Sequence, residues 1–195
     1  MNMKYPKFYS YTIDSQDNII YINPQEWDEF YNNNSNSSAC FAKEIIKDSL
    51  WNYIKDFETM HLYENIINNV RTYNREVTFP FRCDSPTQRR FLTLTLKPLE
   101  NNCIEFISRI EKIEERDYVR VFDNNRESSE EMLIVCSMCK KIKLEEYLWE
   151  EVETAVSLLK LFEKQKLPML SHGLCPFCKK LYMEEVEDFM RTFED

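Results

Sequence analysis

Two short cysteine turns constrain this chain more than any other feature. Cys136-Ser137-Met138-Cys139 and Cys175-Pro176-Phe177-Cys178 both read C-x-x-C, and the 35 residues 140–174 lie between them. Each pair runs on into two lysines and an apolar residue, Lys140-Lys141-Ile142 and Lys179-Lys180-Leu181. Zinc takes four soft, deprotonated ligands in a tetrahedron, and each turn can supply two thiolates. The pattern therefore predicts a structural Zn2+ site formed by Cys136, Cys139, Cys175 and Cys178. The gap is longer than in most compact zinc ribbons, so it must hold an element of its own. The neighbouring lysines would offset the negative charge of four thiolates, or would simply be solvated. His172 stands just before the second pair, either as an alternative ligand or as a supporting residue of the turn. A Cys-Pro-Phe-Cys string at a helix start also suits a reactive dithiol. A redox pair is thus a second reading of the same residues.

The rest of the composition narrows the function classes. The net charge is −9 over 195 residues, which argues against binding nucleic acid or an anionic membrane through the global field. The acidic excess is concentrated in residues 111–195, where 13 basic residues face 20 acidic ones. The single glycine, Gly173, excludes Gly-rich phosphate loops and dinucleotide fingerprints. Two histidines, His61 and His172, leave few members for a catalytic triad. Met1 to Ser10 lacks the apolar core of an export signal, and no run approaches a membrane span. Seven cysteines without an export signal fit a reducing cytoplasm better than a disulfide framework. Cys40, Cys83 and Cys103 stand alone as core or surface thiols.

Along the chain, Tyr9–Asp14 and Ile19–Asn23 read as a hairpin whose turn is carried by Asp and Asn. A short helix, Gln25–Tyr31, and an Asn/Ser-rich loop, Asn32–Ser38, follow. Helical pieces come next, at Ala42–Lys47 and Ser49–Ile54. Thr59–Tyr73 is a firmer helix, with Met60, Tyr63, Ile66, Ile67 and Val70 at helical spacing. Three runs then alternate with period two: Val77/Phe79/Phe81, Leu92/Leu94/Leu96 and Ile104/Phe106. Ile107, Ile110, Ile113, Tyr118 and Val121 form an imperfect helical stripe over 107–122, and Asp123–Glu131 reads as a linker. Met132–Val135 is a short strand. Leu148, Val152, Ala155, Leu159 and Phe162 predict a long helix over Glu145–Lys164, and Lys179–Phe193 predicts a final one. Arg82, Arg89 and Arg90 gather near Asp84, either salt-bridged to it or open to an anion or partner.

This order of two strands, short helices, a longer helix and a three-strand meander resembles the PAS domain over about residues 5–110. The stretches Asn18–Asn23, Ser49–Ile54 and Phe91–Leu96 carry the likeness. The tail resembles a cysteine-rich segment appended to bacterial PAS and other signalling proteins. Its marks are Cys136-x-x-Cys139-Lys-Lys, Trp149 and Ser171-His172-Gly173-x-Cys175-Pro176-x-Cys178. The resemblance implies an α+β fold: a PAS-like five-stranded antiparallel sheet with helices on one face, then a connecting helix and a small, mostly helical zinc module. The divisions are 1–110, 111–131 and 132–195. It further implies a non-catalytic cytoplasmic sensor with an unknown PAS ligand, homodimeric through the connecting helix and relaying to an unknown protein partner. In some PAS sensors a helix histidine binds haem, which makes His61 a weak candidate. A transcription-associated zinc adaptor is a third reading, one that the acidic tail disfavours.

Overall fold

The computed structural model describes residues 8–27, 42–123 and 125–191. Cys40 and the Asn/Ser-rich stretch 32–38 lie outside them, as does part of the helix expected over 25–31. The first half is a five-stranded antiparallel sheet of order β2-β1-β5-β4-β3. Its strands are β1 (Phe8–Ile13), β2 (Ile19–Ile22), β3 (Val77–Arg82), β4 (Gln88–Pro98) and β5 (Ile104–Glu115). Helix α1 (Phe57–Tyr73) lies over one face. Asp56 caps its start, the carboxylate accepting from the N–H groups of Glu58 and Thr59, and Asn74 ends it with φ 49°. Leu62, Ile66, Ile67 and Val70 of α1 are buried against Ile13, Phe79, Leu94, Leu96, Ile104 and Phe106 of the sheet. The alternating runs expected at 77–81, 92–96 and 104–106 are all strands.

With a single glycine, the left-handed backbone positions fall to other residues. Asp17 takes φ 65° in the first hairpin. The Asp14 carboxylate accepts from the N–H groups of Gln16 and Asn18, each at 2.9 Å, so side-chain hydrogen bonds shape this turn. Arg71 of α1 then clamps it, donating to Asp17 and to the Asp14 carbonyl, each at 2.7 Å.

The structure corrects the connecting helix. Residues 104–115 continue as strand β5, paired with β4 as far as Glu115. The isoleucines are β-branched and suit a strand. The register jumps where Phe91 faces Lys112 but Leu92 faces Ile110. Such a bulge adds one residue to β5 and turns an alternation of two into a spacing of three, which reads as helical in the sequence. Tyr118 is exposed and Val121 is buried in a second core, so the dimerising stripe does not exist as a helix face.

The second half is also corrected, from mostly helical to a four-stranded sheet of order β8-β7-β6-β9. It comprises β6 (Ser128–Cys136), β7 (Ile142–Lys143), β8 (Trp149–Glu150) and β9 (Leu167–Gly173). Of the helix expected over 145–164, only α2 (Val152–Leu158) forms. Leu144 and Leu148 close a β7–β8 hairpin through the Leu144 N–H to the Leu148 carbonyl, 2.8 Å, which pairs the backbone of β7. Val152 and Ala155 are buried, whereas Leu148 and Phe162 of the same stripe are exposed. His172, expected at a turn before the second cysteine pair, lies instead on β9, which runs parallel to β6. Gly173 sits beside Cys136 in that ladder, and a Cβ there would come within 3.2 Å of the Ile134 side chain. The glycine is needed for close approach, not for an unusual φ. A final helix, α3 (Pro176–Arg191), leaves the second cysteine turn.

The core of this second sheet is small, centred on Leu133, Val135, Ile142, Val152, Ala155 and Leu167. The cysteine turns do not pack there. Cys136, Met138, Leu174, Cys175, Cys178 and Tyr182 belong to the same apolar cluster as α1 and the first sheet.

A candidate metal centre at the seam of two sheets

The parallel pairing of β6 and β9 explains how two distant cysteine turns meet. Cys136 ends β6 and Gly173 ends β9 directly beside it, so both turns leave the same end of the sheet. In the first, the Lys140 N–H donates to the Cys136 carbonyl at 3.1 Å, and Lys140 takes φ 63°. In the second, the Cys178 N–H donates to Cys175 Sγ at 3.4 Å. The Cys175 N–H donates across the site to Cys136 Sγ at 3.5 Å.

The four Sγ atoms of Cys136, Cys139, Cys175 and Cys178 all lie within 4.8 Å of one another. Cys139 Sγ and Cys175 Sγ are 3.6 Å apart. Four sulfurs at about 2.3 Å from a tetrahedral Zn2+ stand about 3.8 Å from each other. The set therefore has the size and the donor chemistry of a metal site. Cys136, Cys175 and Cys178 are buried and Cys139 is half-buried.

Thiols so close do not ionise independently. Hydrogen bonds from Cys139, Cys175 and Cys178 draw the Cys136 thiol far below its ordinary range. Those hydrogen bonds to Cys136 push Cys139 and Cys178 up. Cys175 falls to about 7, its hydrogen bond with Cys136 opposing the shift and those with Cys139 and Cys178 driving it. Without a cation, the cluster resists becoming four thiolates, because each added negative charge faces the others at contact distance. A divalent ion among them removes that repulsion and displaces the thiol protons.

Comparison with models of known protein families and with curated proteins returns no match. The chemistry of the site thus has to be read from its own residues.

The site is laced to the first half of the molecule. The Arg82 N–H at the end of β3 donates to the Met138 carbonyl at 2.7 Å. The Thr59 hydroxyl of α1, which donates to Asp56, accepts from the Ser137 hydroxyl at 2.9 Å. Glu58 accepts from the Leu174 N–H at 3.3 Å and pairs with Lys179 at 3.2 Å. The Tyr182 hydroxyl donates to the Pro80 carbonyl. None of these contacts was visible in the sequence. Tyr182 alone carries a signal, standing one helical turn after Cys178 on α3.

The flanking lysines have their own partners. Lys140 Nζ donates to the Ser137 carbonyl at 2.8 Å, Lys179 pairs with Glu58, and Lys180 pairs with Glu184 at 3.6 Å. His172 lies on β9, outside the four-sulfur set, and burial together with the Lys140 charge lowers its pKa. His61 is on the surface, 3.8 Å from Glu64. Cys83 and Cys103 are half-buried.

Arg82, Arg89 and Arg90 do come together, in an ionic network that crosses the seam. Arg82 pairs with Asp84 at 2.6 Å and with Glu151 at 2.8 Å. Arg89 pairs with Glu153 at 2.6 Å, and Arg90 donates to the Cys83 carbonyl at 2.8 Å. Arg116, which no motif marked, joins Asp84 at 3.1 Å and Glu153 at 3.3 Å. Glu151 and Glu153 sit at the start of α2, where negative charge also suits the helix dipole. Of the three arginines, Arg82 meets Asp84 as the sequence suggests; Arg89 is matched by Glu153 of the second half and by Glu114 of β5 at 3.8 Å, and Arg90 by a backbone carbonyl. Among the described residues, no helix is long and apolar enough to cross a membrane.

Proposed function

We propose that this chain is a non-catalytic sensory module in which a structural zinc ion joins a PAS-like sheet to a smaller second sheet. The observation that carries this reading is the four-sulfur cluster within 4.8 Å, placed in the shared core and not at the surface. Four protein ligands complete a tetrahedron, leaving no position for a reactive water. The PAS-like reading draws support from the strand order β2-β1-β5-β4-β3 with α1 across one face. The reading places the protein in the cytoplasm, relaying to a protein partner. Homodimerisation belongs to the same reading, now through the sheet edge: β2 carries exposed Ile20 and Tyr21, and exposed Phe8 lies on β1 beside it. Light scattering should return about twice the 23.7 kDa chain mass.

Elemental analysis with an absorbance spectrum tests the metal directly. One zinc per chain and no visible absorption band is the expected result. A metal-free, folded protein, or a haem or flavin band, would sink the reading. The half-buried Cys139, 3.6 Å from Cys175 Sγ, favours a second reading, in which peroxide oxidises the thiolates to disulfides and releases the ion. Each disulfide takes one peroxide to water. Stoichiometric zinc release by dilute peroxide, reversed by a thiol reductant, would select that reading over a static clamp.

A further inference from the structure

A cavity of about 410 Å³ lies beside the cysteine centre, between the first sheet and the first cysteine turn. Tyr11 of β1, Tyr63 of α1 and Phe81 of β3 give it an aromatic wall. Ser137, Met138 and Lys140 close the opposite side. It is large enough for a single- or double-ring molecule, within the usual range for small-ligand sites.

The polar groups around it are mismatched in one direction. Tyr11 and Tyr63 form no hydrogen bond through their hydroxyls among the described residues, although Tyr11 stacks on Phe106 at 4.6 Å. Burial raises both phenols, Tyr63 to about 12, so each keeps its proton and can donate. Lys55 makes no ion pair among the described residues. Lys140 uses one of its three donors on the Ser137 carbonyl. The one carboxylate on the cavity wall, Asp56, is engaged by the N–H groups of Glu58 and Thr59 and by the Thr59 hydroxyl. Donors are in excess: the one carboxylate is committed, His172 adds a ring that can donate from one nitrogen and accept at the other, and the walls are aromatic. A neutral apolar guest would leave the two phenols unpaired, at a cost of a buried donor each.

We propose that this cavity binds a small aromatic carboxylic acid, ring against Tyr11, Tyr63 and Phe81 and carboxylate toward Lys55, Lys140 and the phenol hydroxyls. This rests on the sensory reading above and goes beyond it by naming the ligand class and its coupling to the metal. Ser137, Met138 and Lys140 lie within or immediately after the first C-x-x-C turn, so the far wall exists only while that turn is closed. Acid and metal are therefore linked, and the linkage is reciprocal: whatever factor zinc adds to acid affinity, the acid adds to zinc affinity.

The test is calorimetry on the full chain with its zinc content measured first, using benzoate, phenylacetate and indole-3-acetate against their uncharged amides. At least one acid should bind one-to-one, at least tenfold tighter than its amide. Lys55→Ala and Tyr63→Phe should each weaken it several-fold, with an unchanged circular dichroism spectrum and zinc content. In equilibrium competition with a chelator, the bound acid should raise the zinc affinity by the same factor that zinc adds to the acid affinity. A zinc-loaded chain that binds no acid, or binds acid and amide equally, overturns the acid site and leaves the metal reading intact. A chain without zinc that still prefers the acid overturns the metal reading and the coupling, and leaves the site.

Discussion

The two sheets solve the problem of a core differently. The first has strands of 11 and 12 residues at its centre and a 17-residue helix across one face. It buries isoleucine, leucine and phenylalanine from its own strands and helix. The second has two strands of only two residues and a seven-residue helix. Its own cluster is small, and its cysteine turns are packed into the core of the first sheet instead. A short segment of this kind is held by chemistry at its ends more than by its own interior, because too little apolar surface leaves water to offset chain entropy.

Disrupting the cysteine cluster should break the comparison most visibly. Structural zinc contributes roughly 10–16 kcal/mol in small modules. Cys175→Ser should therefore strip hydrogen-exchange protection from β6, β9 and α3 while β4 and β5 stay protected. The Arg82 amide, bonded to Met138, should open with the second half although it lies on the first. Equal protection in the mutant and the parent would mean that packing, not metal, holds the tail.

The ionic seam comes next in size. The Asp84 side chain is fully buried between Arg82 and Arg116, whose own side chains are 9% and 4% exposed. Asp84→Ala leaves buried guanidinium charge undercompensated and should cost about 3 kcal/mol in urea unfolding. A loss under about 1 kcal/mol would show the network to be solvated in solution.

Gly173→Ala should cost roughly 1–2 kcal/mol, through overpacking against Ile134 where the β9 and β6 backbones approach. Ile134→Ala in the same chain should recover part of that loss; a strictly additive double mutant would place the strain elsewhere. The smallest effect belongs to Glu58 and Lys179, 44% and 60% exposed. A double-mutant cycle should assign the pair at most about 0.5 kcal/mol.

Sequence reasoning reached the first half more completely than the second, for physical reasons. Ile66, Ile67 and Val70 repeat at helical spacing and Leu92, Leu94 and Leu96 at strand spacing, so local pattern and final burial agree. The cysteine cluster was legible because two C-x-x-C turns of matched sequence mark the four residues that the fold brings together. The bulge opposite Phe91 hid the length of β5, since it is a property of pairing and leaves no mark in one strand. Strand β9 was hidden for another reason. Leu167-Pro168-Met169-Leu170-Ser171-His172 has no alternation and contains a proline, and it becomes a strand only because β6 offers it a parallel edge. The seam was least legible of all, because the Arg82–Met138 bond is made by backbone atoms that every residue carries.

The parallel pairing of β6 with β9 also sets a clock. During synthesis Cys136 and Cys139 emerge well before Cys175, and at ordinary ribosomal speeds that interval is roughly 2–8 s. A newborn first turn has only two of the four sulfurs of the cluster for that time, while the first sheet, already complete, can fold. The docking bond from Arg82 to Met138 gives the waiting turn a fixed place on that finished sheet. The second pair then closes onto a half-site held in position, which shortens the search that joining Ser128 to Leu167 across the intervening chain would otherwise require.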